Sequence, residues 1–303
     1  MTAREMLDDL RSPRKKKVIL DTDTFNEVDD QYALAYCYIS ENIDLLSVNA
    51  APFLNWKSTS YNDGMEKSYA EAKKILSLCD PYNKTPVFRG ATTTVTESGS
   101  PVDSPAVQNI IDTVSSSPDP VYILGIAAST NIASAIKLAP HIRENMCVIW
   151  LGSNALDADG IDEFNLYQDY AAGQYLMDSG VPLLLCPAWC VVSELYAKRE
   201  EITAISSANP VCGYLASITA ELWKGVPETE PCGKIIWDIA APAIVDIPDC
   251  AEIEVIPAPI FTDERKYAFD PTRHEMLYLK KIHRDTVMER TWSVIAGNKK
   301  TEA

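Results

Sequence analysis

Residues 17–30 read Lys-Val-Ile-Leu-Asp-Thr-Asp-Thr-Phe-Asn-Glu-Val-Asp-Asp. A short apolar, β-branched run leads directly into Asp21, Asp23, Glu27, Asp29 and Asp30. The run reads as a buried strand, and residues 29–40, with Ala33, Leu34, Cys37 and Tyr38 at helical spacing, read as a helix. The alternation continues outward: strands at 45–51, 121–124, 147–151 and 181–186, and helices at 61–78, 131–138 and 168–178. Residues 200–225 read as mostly helical, a cap over the strand ends, while 98–105 and 115–120, rich in Pro and Ser, read as loops. A β-α-β-α order predicts an α/β fold, an open, mostly parallel, Rossmann-like sheet with helices on both faces. Several strands are apolar throughout, as expected when both faces are covered. In such sheets, ligands bind beyond the carboxyl ends of the strands, where the acid cluster falls.

The chain has 303 residues, 47% of them hydrophobic, enough for a large core. We expect a basic and polar N-terminal tail over residues 1–15 and one domain over 16–303. Lys and Arg number 27 against 43 Asp and Glu, a formal charge of −16, which disfavours a nucleic-acid partner. The basic run Arg14-Lys15-Lys16-Lys17 reads as a solvated tail before a strand. Residues 1–17 lack the apolar centre of a secretory signal, and no run of about 18 apolar residues predicts a membrane span. The eight cysteines are scattered in apolar surroundings such as Cys37, Cys147 and Cys186, and read as reduced thiols of a cytoplasmic protein.

Like charges as close as those of residues 21–30 repel unless something neutralises them, and a hard divalent cation with oxygen ligands would do so. A solvated first helical turn would also favour acids, but it does not account for Asp21 and Asp23 leaving a core strand. Two resemblances compete. Asp21-x-Asp23 after an apolar strand is similar to the opening motif of the haloacid-dehalogenase-like magnesium phosphatases, although Phe25 departs from that pattern. The whole stretch resembles the Asp-x-Asp-x-Gly-x-Asp-Asp motif of the nucleoside hydrolases, with Asp21, Asp23, Asp29 and Asp30 as its four acids. Here five residues separate Asp23 from Asp29, not three, and the glycine is missing, as in a longer-loop variant.

Three later segments favour the nucleoside hydrolases. Residues 125–133, Gly-Ile-Ala-Ala-Ser-Thr-Asn-Ile-Ala, resemble that family's strand-end segment, although Ser129, Thr130 or Asn131 could equally serve as a helix cap. Glu163-Phe164-Asn165 resembles its ribose-binding tripeptide, with Asp169 and two alanines following as in the family's next helix. Trp237-Asp238 stands where many members have His-Asp. Residues 277–295 resemble its last strand and helix, so the likeness runs from about residue 16 to 295.

The resemblance implies the nucleoside hydrolase fold and a calcium-dependent enzyme that cuts ribonucleosides to ribose and free base. It also implies a role in purine or pyrimidine salvage and a homodimer or homotetramer. By the same resemblance, Ca²⁺ would be held by Asp23, Asp30, Asp238 and the main-chain carbonyl of Thr130, with Asp23 also the general base. Asp29, Glu163 and Asn165 would bind ribose, and Asp21 would orient the ligands from behind. Asn55, just past the second strand, could approach the sugar, and Trp237 could stack on the base or pack in the core. Of the histidines, His141 and His283 read as structural, while His274 lies in a polar loop that could reach the site. Besides the phosphatase, a catalytically silent nucleoside- or ribose-binding protein remains an alternative, because the enlarged loop between Asp23 and Asp29 could abolish turnover.

Overall fold

The computed structural model describes residues 1–227 and 229–297; the last six residues of the expected 16–303 domain lie outside the described residues. In chain order the helices are α1 (Ala3–Arg11), α2 (Asp29–Ile39), α3 (Tyr61–Cys79), α4 (Val95–Ser98), α5 (Pro105–Ser116), α6 (Thr130–Leu138), α7 (Phe164–Gln168), α8 (Tyr170–Asp178), α9 (Arg199–Ile205), α10 (Pro210–Ala220), α11 (Ala240–Asp246) and α12 (Arg284–Ala296). The strands are β1 (Lys16–Thr22), β2 (Ile43–Ala50), β3 (Val87–Arg89), β4 (Val121–Gly125), β5 (Met146–Leu151), β6 (Leu183–Cys186), β7 (Tyr196–Lys198), β8 (Gly233–Ile235), β9 (Ala251–Pro257), β10 (Ile260–Phe261), β11 (Tyr267–Ala268) and β12 (Glu275–Ile282).

Eight strands form one sheet in the order β3-β2-β1-β4-β5-β6-β12-β9. All neighbours run parallel except β9, which lies antiparallel to β12 at the edge. Successive side chains of a strand point to opposite faces, and both faces are apolar. On β1, Val18 and Leu20 join a core with α1, α2, α11 and α12, whereas Ile19 joins a core with α5, α6 and α8. Continuous apolar strands are therefore what this sheet requires. The adjacent carboxyl ends of β1, β4, β5 and β6 set the floor for a site.

The chain's beginning differs from the expected tail. Residues 3–11 form α1, started by a capping box in which Thr2 and Glu5 satisfy each other's main-chain N–H groups. Its Ala3, Met6 and Leu10 are buried in the core, and Asp9 ties it to Arg14 and to the Tyr122 hydroxyl. Charged residues between these apolar positions hid an amphipathic helix in a polar composition. Lys16 is likewise buried, not solvated: its ammonium donates to the carbonyls of Ser12 and Arg14. Residues 105–116, given no element from sequence, form α5. Residues 200–225 are mostly helical, as expected, and carry α9 and α10, the latter packed on α2, α3 and α12.

Met6 and Leu10 are 0% and 1% exposed. Met6→Ala and Leu10→Ala should each lower unfolding stability by roughly 2–5 kcal/mol, read from urea transitions. A change within about 0.5 kcal/mol, the range of an ordinary surface substitution, would mean that α1 is not part of the cooperative core.

Candidate active site

Beyond the strand ends lies an open cavity of about 190 Å³. Its acidic floor consists of Asp23, Asp29, Asp30 and Asp238. Asp23 follows β1 directly, while Asp29 and Asp30 open α2, where the helix N-terminus favours negative charge. Asp238 lies in a single 3-10 turn, Trp237–Ile239, that leads into α11. Carboxylate oxygens of Asp29, Asp30 and Asp238 lie within 4.8 Å of one another. Asp30 is within hydrogen-bonding reach of both Asp238 and Asp23, and accepts a 2.5 Å bond from the Thr22 hydroxyl.

All four floor acids are buried. Burial, and then the charge of neighbouring acids, pushes Asp23 and Asp238 well above the ordinary carboxylate range. The same causes push Asp30 up to about 7. Asp29 is also raised, first by burial, against the opposing pull of Lys234. Lys234 is the basic side chain that pairs with this group among the described residues, with its ammonium 3.8 Å from Asp29. Burial disfavours the charge on Lys234, yet the attraction of Asp29 and Glu27 outweighs it and raises its pKa.

Behind the floor, Asp21 is fully buried, raised to about 7 by burial, and bonded through one oxygen to the Asn131 amide. The other oxygen of Asp21 and one oxygen of Asp23 have no protein partner. Unmet carboxylate oxygens beside further carboxylates suit a hard divalent cation with all-oxygen ligands, so the residues fit a metal ion. His and Cys, the softer ligands, are absent from the cavity lining among the described residues.

One wall carries Glu163 and Asn165. Glu163 caps α7, accepting from the main-chain N–H groups of Ser153, Asn165 and Leu166. Burial nevertheless lifts its carboxyl to about 7. The Asn165 amide donates to the Leu151 carbonyl, which ties the wall to the end of β5. At the mouth, Trp237 and Trp189 meet edge to face, with ring centroids 5.0 Å apart. Trp189 is 54% exposed, so an apolar face remains for a planar ligand.

Three residues singled out from sequence do not line the cavity. The Asn55 amide donates to Asn26, which does line it, so Asn55 stands one residue behind. The Thr130 hydroxyl donates to Asp169, leaving only its main-chain oxygen as a possible ligand. Asp21 stands behind the floor, as described. None of the three histidines reaches the lining: His141 bonds Ser115, His283 precedes α12 near Glu252, and the His274 carbonyl is tied to Ala258.

Sequence reading missed four residues. Asn131 cross-links the Asp21 carboxylate to the main chain at Ala91. Asp169, fully buried, gathers donors from Val95, Thr96, Thr130 and Ala172. Lys234 and Trp189 come from the three-residue strand β8 and a loop with no periodicity. Asn131 and Asp169 had a signal, since both lie in quoted motifs, but their partners are distant in sequence.

An acid-floored cavity beyond the carboxyl ends of a doubly covered parallel sheet is where α/β proteins of this kind bind their ligands. The chain belongs to the inosine-uridine preferring nucleoside hydrolase family, whose sequence model matches residues 18–270. The haloacid-dehalogenase reading is not favoured. The structure is similar to that of a plant nucleoside hydrolase (TM-score 0.75, 16% identity, 93% of this chain and 99% of that one). It is similar also to a purine-preferring ribonucleoside hydrolase from Gardnerella vaginalis (TM-score 0.73, 21% identity, 94% and 99%). At such identities these likenesses establish the fold. An uncharacterized protein of Schizosaccharomyces pombe is 30% identical over 107 residues, so the match spans 34% of this chain and 34% of that relative's length.

If the acidic floor holds a metal, a divalent salt at about 100 times Kd should add ~2.7 kcal/mol of stability, a rise in Tm of roughly 5 °C or more. Asp30→Asn and Asp238→Asn should abolish that rise in a calorimetric scan. An equal rise in parent and variants would place the ion elsewhere.

Proposed function

We propose that this chain is a calcium-dependent hydrolase of ribonucleosides, releasing ribose and a free base. One observation carries the reading. Four buried acids and the Glu163–Asn165 pair face a single cavity, with indole rings at its mouth. That arrangement suits a polar sugar bound deep and a planar base bound outward. In this reading Asp23, Asp30, Asp238 and the main-chain oxygen of Thr130 hold Ca²⁺. When bound there, the ion supplies Lewis acidity that lowers the pKa of water and offers a clamp for vicinal hydroxyls.

The chain's own residues do the rest. Asp23 accepts the proton of the attacking water through its unpaired oxygen, and the surrounding acids make its carboxylate a stronger base than a solvated one. Asp29, Glu163 and Asn165 hydrogen-bond the ribose hydroxyls and hold the sugar as it gains oxocarbenium character. Asp21, fixed by Asn131, backs the floor. Asn55 acts through Asn26 on the loop beside the sugar. Trp237 and Trp189 stack on the base and exclude water. The indole has no proton that titrates near neutrality, so protonation of the leaving base is not its task. Cys37, Cys147, Cys186, Cys212 and Cys250 are buried in the apolar core, which suits the reduced thiols of a cytoplasmic protein, and no helix of the described residues is long and apolar enough to cross a membrane. We take the working form to be a homodimer or homotetramer acting in base salvage.

The direct test is a panel of purine and pyrimidine ribonucleosides, incubated with calcium and with chelator and resolved by chromatography. Free base should appear with calcium only; no base from any nucleoside would leave the proposal without support. Asp23→Ala should lose most turnover, since a general base contributes about 10²–10⁴-fold. Asp23→Asn that keeps the metal but not the rate would assign the proton role.

Trp237→Ala should weaken nucleoside binding by roughly fivefold, in line with about 1 kcal/mol of stacking, while the ion still binds. An unchanged kcat/KM would make the indole a packing residue only.

A further inference from the structure

The five-residue spacer between Asp23 and Asp29 must be held without the glycine of the shorter family motif. Among the contacts that hold it, three come from residues 55, 57 and 234. The Asn26 side chain accepts from Asn55 at 2.6 Å, the Phe25 carbonyl accepts from the Lys57 ammonium at 3.3 Å, and Glu27 pairs with Lys234 at 2.5 Å. The third contact differs from the others because its cation also faces the floor. Lys234 Nζ lies 3.8 Å from Asp29 Oδ1, and the Lys234 side chain is only 16% exposed. The other oxygen of Asp29 accepts from the Trp237 main-chain N–H at 3.1 Å. Residues 234–238 therefore supply both neighbours that orient Asp29, together with Asp238.

We propose that Lys234 is a positioning residue: bridging Glu27 and Asp29, it latches the long loop and aims one oxygen of Asp29 at the ribose hydroxyls. This rests on the reading of Asp29 as a sugar-binding group. The spacing supports it. At 3.8 Å the ammonium attracts Asp29 Oδ1 without holding it in a short bond, so that oxygen can still accept from a hydroxyl. Glu27, which is 53% exposed, takes the short bond and holds the ammonium at the cavity rim. The geometry gives a lysine, and not merely any apolar filler, a task at this place. An apolar side chain of the same length would leave Asp29 among three other acids with no cation beside it.

The Glu27–Lys234 pair should add little to folding, because Glu27 is half exposed, and Lys234→Arg keeps a cation beside the buried Asp29. That separates a positioning role from a structural one. The test compares the parent with Lys234→Met, Lys234→Arg and Glu27→Gln in calcium-containing buffer. Kinetics are measured on inosine, uridine and their 2′- and 3′-deoxy analogues. Calorimetric binding of D-ribose against 2-deoxy-D-ribose gives a readout that does not need turnover. Lys234→Met should raise KM for ribonucleosides by about tenfold or more, the scale of a lost charge-assisted hydrogen bond, with a smaller change in kcat, while Lys234→Arg should keep its Tm within about 2 °C of the parent. The preference for ribo over deoxy sugars should shrink by a similar factor. Lys234→Arg should recover most of it, and Glu27→Gln should fall between.

Unchanged KM and unchanged sugar preference in Lys234→Met would overturn the inference. So would an equal loss on every sugar accompanied by a large fall in Tm and no rescue by arginine, because that pattern is structural. A parent that hydrolyses no nucleoside but prefers ribose through Lys234 would defeat the proposed function and leave this inference standing. A parent that neither turns over nucleosides nor binds ribose would defeat both.

Discussion

Four carboxylates at the end of a buried strand and its neighbours cannot all be ionised in a desolvated place without a counter-charge. Asp23, Asp29, Asp30 and Asp238 meet that condition: each is nearly inaccessible to solvent, and each is raised by burial and, for three of them, by one another. Unpaired charge of this kind costs folding energy. The chain retains it because the sheet leaves no freedom to move it. Asp21 belongs to β1, paired on one side with Asn49 of β2 and on the other with Gly125 of β4. The acids that follow inherit the strand's position.

The same rigidity explains the polar residues behind the floor. Asp169 has no basic side chain hydrogen-bonded to it among the described residues, yet it accepts from Val95, Thr96, Thr130 and Ala172. A carboxylate satisfied by several main-chain and hydroxyl donors is stable in the interior where a single ion pair would not be. It joins the starts of α4, α6 and α8, so the end of β4 and the wall beyond β5 are set relative to each other. Asn131 does the same between β1 and the loop after β3. Flexible side chains alone would not keep acids of one sign in register.

Legibility from sequence followed the range of the forces involved. The sheet was readable because apolar period and strand length are local: β4 and β5 came within one residue of their expected bounds, and β1 continues two residues past the apolar run that ends at Leu20. Their carboxyl ends located the acids, and the motif resemblance named those that share the cavity. The N-terminal helix was not readable, because Met6 and Leu10 are separated by charged residues and their partners lie on distant elements. Asn55 looked like a sugar ligand because it follows β2, but the long loop brings Asn26 in front of it. The Glu27–Lys234 pair spans 207 residues, and no local pattern carries such a contact.

That long-range pair also bears on what a loop insertion does to an active site. A tight turn with glycine fixes its flanking acids through backbone geometry alone. A longer turn has more conformations to lose and needs contacts from outside itself. Here they come from Ser68 and Lys57 in and before α3, from Asn55 after β2, and from Lys234 in β8. The anchors lie in the β2–α3 connection, in α3 and in β8, so the loop is held from two distant parts of the chain. The insertion therefore does not loosen Asp29. It transfers control of that carboxylate from the turn to β8 and the 3-10 turn that also present Trp237 and Asp238, so Asp29, the indole at the mouth and a second floor acid share one set of supports.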